Sequence, residues 1–577
     1  MAKTRSLTII AQDPSIRDGE RILTTRVAVP YEKLGPGPRG YRAHVVDYDS
    51  SQRVLYKPAD LGGEASDCFA KATDATLLGD PTFHAQNVYA IVMRILSRFE
   101  FALGRRIAWG FGGHQIHIAP HAFAEANAYY SEDDRGLFFG YFPGKDGKPV
   151  YGCLSHDVIA HETAHALVDG LRGCYTLPSG PDQAGFHEGF ADIVALLSVF
   201  GLRGIVARLL PGSKDDPTRV DKADLTPERL KKSALLGLAE QFGKEMSGFR
   251  DDALRRSVEL PPSKDAMKEL PYEECHKRGE ILSAAVLNAF VQVWWKRLGS
   301  WLPSEDKTVS KERVAEDGSD AAEQLQTMLI RALDYCPVVD ITYADLLSAV
   351  LTADFELLPD DGKYKYRPML LDQFKQWLIL PASSTSSHPD AGEIPATGAW
   401  ERPKDTADLR YDCVHLDSLM RDPDEVFRFV WENRKRLRIY EDAYTRVVSV
   451  RPCVRTGPDG FVLRETVSGY LQTLDLEARQ LGSLGIGKPK QMPDSTPVRL
   501  RGGGVLMFDD FGHLKYHVRS RIDNAQRQTD RLDYLWRNGI RDEHGRYGFS
   551  DGAPPGRRFA LMHLRRSGRL RKEEWDG

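Results

Sequence analysis

The run DVIAHETAHALVDG, from Asp157 to Gly170, sets His161 and His165 four residues apart with Glu162 directly after the first. In a helix, positions i and i+4 lie one above the other on one face, so both imidazoles aim at a single point. This is the HExxH pattern: two neutral nitrogen ligands for a metal ion, and a carboxylate beside them that is placed for proton transfer. The plain alternative is a helix with two polar positions facing water. Ala160, Ala164, Leu167 and Val168 argue against it, because they mark a buried helix, and buried imidazoles need partners.

A catalytic zinc takes three protein ligands and keeps a fourth position open. The next apolar stretch, AGFHEGFADIVALLSVF from Ala184 to Phe200, offers the third. Glu188 and Asp192 are four apart and share a face, while Phe190, Ile193, Val194 and Leu197 turn the helix inward. Two buried carboxylates without a cation are costly. Glu188 as a ligand, with Asp192 bonded to the far nitrogen of His161, removes that cost. His187 is a competing ligand.

Elements with recognisable ends must hold these side chains. Ser155 and Asp157 can cap the first of these helices, and Gly170 and Gly173 can end it. Residues 1–80 read as a β-rich, turn-rich extension, with short β-branched and aromatic runs broken by Gly and Pro. From Pro81, Val88, Ile91, Val92, Ile95, Leu96, Phe99 and Leu103 recur at helical spacing, with Pro81 in the first turn and Gly104 at the end. Short strands are expected near His114 and Gly136, and mostly helix from Cys153 to Leu380. The Ser/Pro/Gly-rich stretch 381–405 reads as a linker. Beyond it, residues 406–577 read as a small α+β domain: a helix from about Asp422, β segments joined at TGPDG, and a hairpin turning at Asp509–Gly512. His114, His117 and His121 read as structural or exposed.

With both helices placed, the sequence resembles the gluzincin metallopeptidases, and within them the thermolysin-like and fungalysin-like enzymes. DVIAHETAHALVDG is similar to the thermolysin active-site helix nearly throughout, and EGFAD to the fungalysin form of the third-ligand helix. NAYY at Asn127–Tyr130, followed by GLFFGYF, resembles the edge strand that binds peptide substrate. ALRR at Ala253–Arg256 resembles the segment carrying an arginine for a substrate carbonyl, here Arg255. HKRGEIL resembles the segment with the transition-state histidine, here His276. RGCY resembles the one with the transition-state tyrosine, here Tyr175, with one position missing from the spacing. The resemblance covers about Pro81 to Leu380. The interval from His165 to Glu188 is slightly longer than in thermolysin, and the acidic residues of its paired calcium site are mostly absent, so calcium is not expected there.

The resemblance implies an α+β, thermolysin-like catalytic unit over 81–380, with a β-rich lobe, a helical lobe and the zinc site between them. It implies a zinc metalloendopeptidase with one catalytic Zn2+ on His161, His165 and Glu188. Glu162 would be the general base, and His276 and Tyr175 would stabilise the oxyanion. Arg255 would hold a substrate carbonyl, and Asn127 and Ala128 would take the substrate backbone as an added strand. Each outer residue also has a plain reading. His276 is then a solvated loop residue, Tyr175 a core or surface tyrosine, Arg255 a partner of Asp251 or Asp252, and Asn127 a turn cap.

Composition bounds these readings. A chain of 577 residues with 41% hydrophobic residues is large enough for more than one core. A formal net charge of −4 gives no global field toward nucleic acid or membrane, so neither is expected as a partner. Seven cysteines, widely spaced and without a CxxC pair, fit a reducing, cytoplasmic setting and argue against cysteine-based zinc sites. The expected partner is a peptide or protein substrate, with a protein partner open to the C-terminal domain. The rival reading is a catalytically silent zinc-binding scaffold whose C-terminal domain binds a partner. Keeping Glu162 opposes it, since zinc binding alone does not need that carboxylate. An aminopeptidase would need an acidic cluster for the substrate amine, and no such motif precedes the HExxH helix.

Overall fold

The computed structural model describes residues 4–61, 67–177, 179–232, 236, 257–300, 302, 305–362, 364–382, 399–400, 402–403, 408–457, 459–542 and 544–548. Arg255 with the rest of Ala253–Arg256, most of the stretch 381–405 and the basic segment Arg557–Lys572 lie outside the described residues. The fold is α+β.

Strands β1 (Thr4–Ile10) and β2 (Thr24–Pro30) form an antiparallel ribbon. β3 (Ala43–Val45) belongs to a five-stranded sheet whose other strands lie within residues 116–151. The first 80 residues therefore do not stand apart as an extension. Next comes α1 (Pro81–Leu103), which begins and ends where the sequence predicts. The Asp80 side chain accepts from the Thr82 N–H, Pro81 occupies the first turn, and Gly104 closes the helix at φ 67°. The sheet is completed by β4 (Ile116–Phe123), β5 (Ala128–Ser131), β6 (Gly136–Pro143) and β7 (Pro149–Tyr151). Its order is β7-β6-β4-β3, with β5 also paired to β6. β4 runs parallel to β3 and β6, while β5 and β7 are antiparallel to β6.

The helical part holds α2 (His156–Leu171), α3 (Pro181–Phe200), α4 (Cys275–Gly299), α5 (Lys311–Ala332), α6 (Tyr343–Leu357) and α7 (Tyr366–Lys375). α3 is apolar on nearly all sides and buried continuously from Gly185 to Phe200, as a helix surrounded by helices must be. No single helix among the described residues is long and apolar enough to cross a membrane. α3 and α4 cross at small residues. A Cβ on Gly189 would sit 2.6 Å from the Gly279 carbonyl oxygen, and one on Gly279 would sit 2.9 Å from the Glu188 Cβ. Only glycine permits this approach.

After residue 408 come α8 (Pro423–Glu432) and an antiparallel meander of β8 (Tyr444–Thr456), β9 (Val462–Glu477), β10 (Pro497–Asp509) and β11 (Leu514–Ser520), then α9 (Ala525–Arg537). Side chains alternate across this sheet. Val467, Leu471, Val505, Met507, Tyr516 and Val518 join the same buried cluster as the helices of residues 81–380. Tyr470, Leu506, Phe508 and Leu514 face the other way, against Phe429 and Val430 of α8.

Two local expectations are corrected. Gly170 does not end α2 but lies inside it, where a Cβ would collide with the Ala108 carbonyl; Arg172 is the C-terminal cap. His276 is not in a polar loop but in the first turn of α4, because Glu274 caps that helix, accepting from the His276 and Lys277 N–H groups.

Candidate metal centre

Ser155 caps α2, its hydroxyl accepting from the Val158 N–H, and Asp157 lies buried in the first turn. One turn on, His161 and His165 face α3, with their Nε2 atoms 3.0 Å apart. Glu188 of α3 is fully buried and reaches both: Oε2 is 3.6 Å from His161 Nε2, and Oε1 is 3.6 Å from His165 Nε2. The three ligand atoms lie within 4.8 Å of one another. Asp192, one turn along α3, is 2.9 Å from His161 Nδ1. That contact puts a proton on Nδ1 and turns Nε2 toward Glu188 and His165.

His276 is brought to the same place, its Nε2 3.2 Å from Glu188 Oε2. Its Nδ1 is held 2.7 Å from Glu274 Oε1. His187 lies behind His165, Nδ1 to Nδ1 at 3.3 Å, on the ring nitrogen that faces away from Glu188. The geometry therefore places it behind His165 and outside the group formed by His161, His165 and Glu188.

A buried carboxylate ringed by three imidazoles has strong mutual effects. Burial opposes charge on His161, yet Asp192 and Glu188 outweigh it and raise its pKa to about 9. Burial likewise opposes charge on Glu274, but its hydrogen bond to His276 and the charge there hold it down at about 2. The neighbouring Cys275 thiol is pushed well up by burial, then by Glu188. Two imidazole nitrogens and one carboxylate, buried, convergent and backed by a second carboxylate, are the donor set that suits a zinc ion.

Glu162 points to the β-rich side, where its Oε2 accepts from the Tyr130 N–H of β5 at 3.0 Å. Among the described residues β5 has one strand partner, β6, and its other edge faces α2. Ala128 opens β5 opposite Phe139. Asn127 precedes it; its carbonyl accepts from the Gly140 N–H at 2.8 Å and its Oδ1 from the Ala128 N–H at 3.0 Å. β5 is pinned to α2 a second time by the Tyr130 hydroxyl, which donates to Asp169 Oδ2 at 2.7 Å.

Tyr175 is not brought to this cluster by its hydroxyl. It is fully buried, its ring packs edge-on against Phe186, and its hydroxyl donates to the Pro337 carbonyl. A buried phenol takes the nearest acceptor, here the Pro337 backbone carbonyl. Arg255 lies outside the described residues. Sequence reasoning missed Glu274, which is not among the favoured capping residue types, and Asp169. The signal for Asp169 was its place four residues after His165 on the same face.

No protein-family model and no curated protein matches the chain.

Proposed function

We propose that the chain is a zinc metallopeptidase of the thermolysin-like kind, an endopeptidase acting in a reducing compartment such as the cytoplasm. The observation that carries this reading is the convergence of His161 Nε2, His165 Nε2 and Glu188 within 4.8 Å, beside a carboxylate, Glu162, that is bonded to a strand edge. His161, His165 and Glu188 would hold the ion. Bound zinc supplies a lowered pKa for water and a Lewis acid for a carbonyl oxygen.

The remaining work falls to the chain. Glu162, oriented by the Tyr130 N–H, takes the proton of the attacking water and passes it to the leaving amine. His276, fixed through Nδ1 by Glu274, presents Nε2 to the oxygen that gains charge. The edge of β5 at Ala128 aligns an extended substrate as a further strand. Asp192 keeps His161 in the tautomer that leaves Nε2 for the ion. Tyr175 has no place in this scheme. The sheet of β3–β7 on one side of α2 and the helices on the other support a thermolysin-like arrangement of two lobes about the site.

The test compares wild type with Glu162→Gln for zinc content and for cleavage of casein and a peptide library. The expected result is equal zinc in both, cleavage by wild type, and a loss of about 10²–10⁴-fold in the variant. Full zinc with no cleavage of any peptide by wild type would favour the silent scaffold instead.

A further inference from the structure

A second group of potential ligands lies on the β-rich side, away from Glu188. His84 comes from the first turn of α1, His121 from β4, and Cys153 from the turn Gly152–Leu154 that leads into α2. All three are buried, and their ligand atoms lie within 4.8 Å of one another. His84 Nδ1 is 2.8 Å from His121 Nε2, and the Cys153 sulfur is 3.9 Å from that same Nε2.

Hydrogen-bond bookkeeping makes this arrangement unusual. His84 Nε2 is 3.1 Å from the Leu78 carbonyl, which can only accept, so Nε2 carries the hydrogen. His121 Nδ1 is 2.8 Å from Asp47 Oδ2, while Asp47 Oδ1 accepts from the His121 backbone N–H at 3.0 Å. Nδ1 of His121 therefore carries its hydrogen too. In neutral rings the two nitrogens that face each other are both lone pairs. A carboxylate behind one imidazole and a backbone carbonyl behind the other are the usual outer partners of metal-bound histidines. The rings of Tyr56 and Tyr151 wall the group, with centroids 5.2 Å from that of His121.

We infer that His84, His121 and Cys153 form a second zinc site, holding the ion by three protein ligands and leaving its fourth position to water. Zinc arms of ~2.0 Å to nitrogen and ~2.3 Å to sulfur require N–N and N–S edges of about 3.3 and 3.6 Å. Opening the ring pair by about half an ångström and drawing in the thiolate meets that requirement. The sulfur gives up its proton on binding, as zinc-bound thiols do. The site ties α1, β4 and the turn before His161 to one point, and so fixes where α2 begins. Cysteine spacing gave no hint of it, since it uses one cysteine and two histidines far apart in the chain. It does not depend on the peptidase reading.

The experiment uses the full chain. Wild type is expected to carry two zinc ions, and its zinc X-ray absorption spectrum to contain one sulfur neighbour at ~2.3 Å for every two ions. That sulfur should persist in Cys275→Ser, which removes the thiol beside the other cluster. The double variant His161→Ala/His165→Ala should keep one zinc, with one sulfur per ion, whatever happens to peptide cleavage. Cys153→Ser should lose one zinc and the sulfur signal together. The inference is overturned by a wild-type spectrum with nitrogen and oxygen neighbours alone, or by a folded Cys153→Ser chain that keeps both ions. The first result would mean that a proton, not a metal, bridges the two rings. The wild-type spectrum decides even where a variant fails to fold.

Discussion

Asp192 fixes one ring of the α2 pair and His187 stands behind the other, so the facing nitrogens of His161 and His165 are held 3.0 Å apart beside a buried carboxylate. Such a group is stable around a cation, and the side chains near it can be sorted by whether they reach it. Tyr175 does not. Tyr175→Phe removes the donor to the buried Pro337 carbonyl, which costs about 1–3 kcal/mol. Urea unfolding should show that loss, with kcat/KM for a peptide unchanged. Normal stability with a roughly hundredfold lower kcat, on the order of one lost oxyanion donor, would return the tyrosine to the reaction. Asp169 acts through β5. Burial first, then the charge of Glu132, pushes its carboxyl up to about 7 from the ordinary 3.8. The folded state therefore binds a proton between those values that the unfolded state does not. That contribution is fully present below about pH 4 and is lost as pH rises through about 7. Its size is about 1.4 kcal/mol per unit of the difference. Unfolding midpoints measured for parent and Asp169→Asn at each pH should converge at acid pH, and the variant should be the more stable above about pH 7. Parallel curves would show that Asp169 is charged in the fold.

At the scale of elements, the distance from His276 to Glu188 is set by the crossing of α3 and α4. Glycines at 189 and 279 let the backbones meet, and α4 then delivers its first turn to the site. Gly279→Ala would press a methyl group against the Gly189 nitrogen at 2.8 Å. Such overpacking costs about 1–3 kcal/mol. It should also shift His276 from Glu188, so that kcat falls more than KM changes; an unaltered kcat with a lowered melting point would separate the crossing from the chemistry. This crossing was not legible in the sequence, where glycine inside a helical pattern only weakens the case for a helix. The helices themselves were legible. The i, i+4 spacing of His161 and His165, and of Glu188 and Asp192, put each pair on a face, and those two faces meet. Pro81 and Gly104 marked α1 because helix-end signals are local chemistry. The polar run before His276 reads as a loop because glutamate is an uncommon cap, and the motif at Tyr175 points to the site because a motif carries no account of competing acceptors such as the Pro337 carbonyl.

The whole molecule ties the site helix to strands that come nearly three hundred residues later in sequence. Arg451 of β8 donates to the last carbonyls of α2, at 3.1 Å to Gly170 and 3.0 Å to Leu171. A cation at that end suits the helix dipole. Next to it, Asp334 is gripped by Arg105 with two bonds of 2.6 Å and by Arg455, which also bonds Glu465 at 2.7 Å. Lys515 spans Glu356 and Glu465 at 2.6 Å each. The Val454 N–H donates to the Gly104 carbonyl at 3.0 Å, so β8 abuts the end of α1. This charged network and the shared apolar cluster lie between the meander and the helices. Removing residues 406–577 is therefore expected to expose core and not to lift a lid: the shortened chain should lose its cooperative melt and its zinc, and show no gain in cleavage. The finer probe is Arg455→Ala. It leaves Asp334 to Arg105 alone and Glu465 to Lys515 alone, at a cost below the ~3–5 kcal/mol of a buried charge left wholly unpaired. One cooperative transition that moves down as a unit, read by both near-ultraviolet circular dichroism and zinc release, is the expected outcome. Two separate transitions, with zinc kept through the first, would mean that the meander unfolds independently of α2.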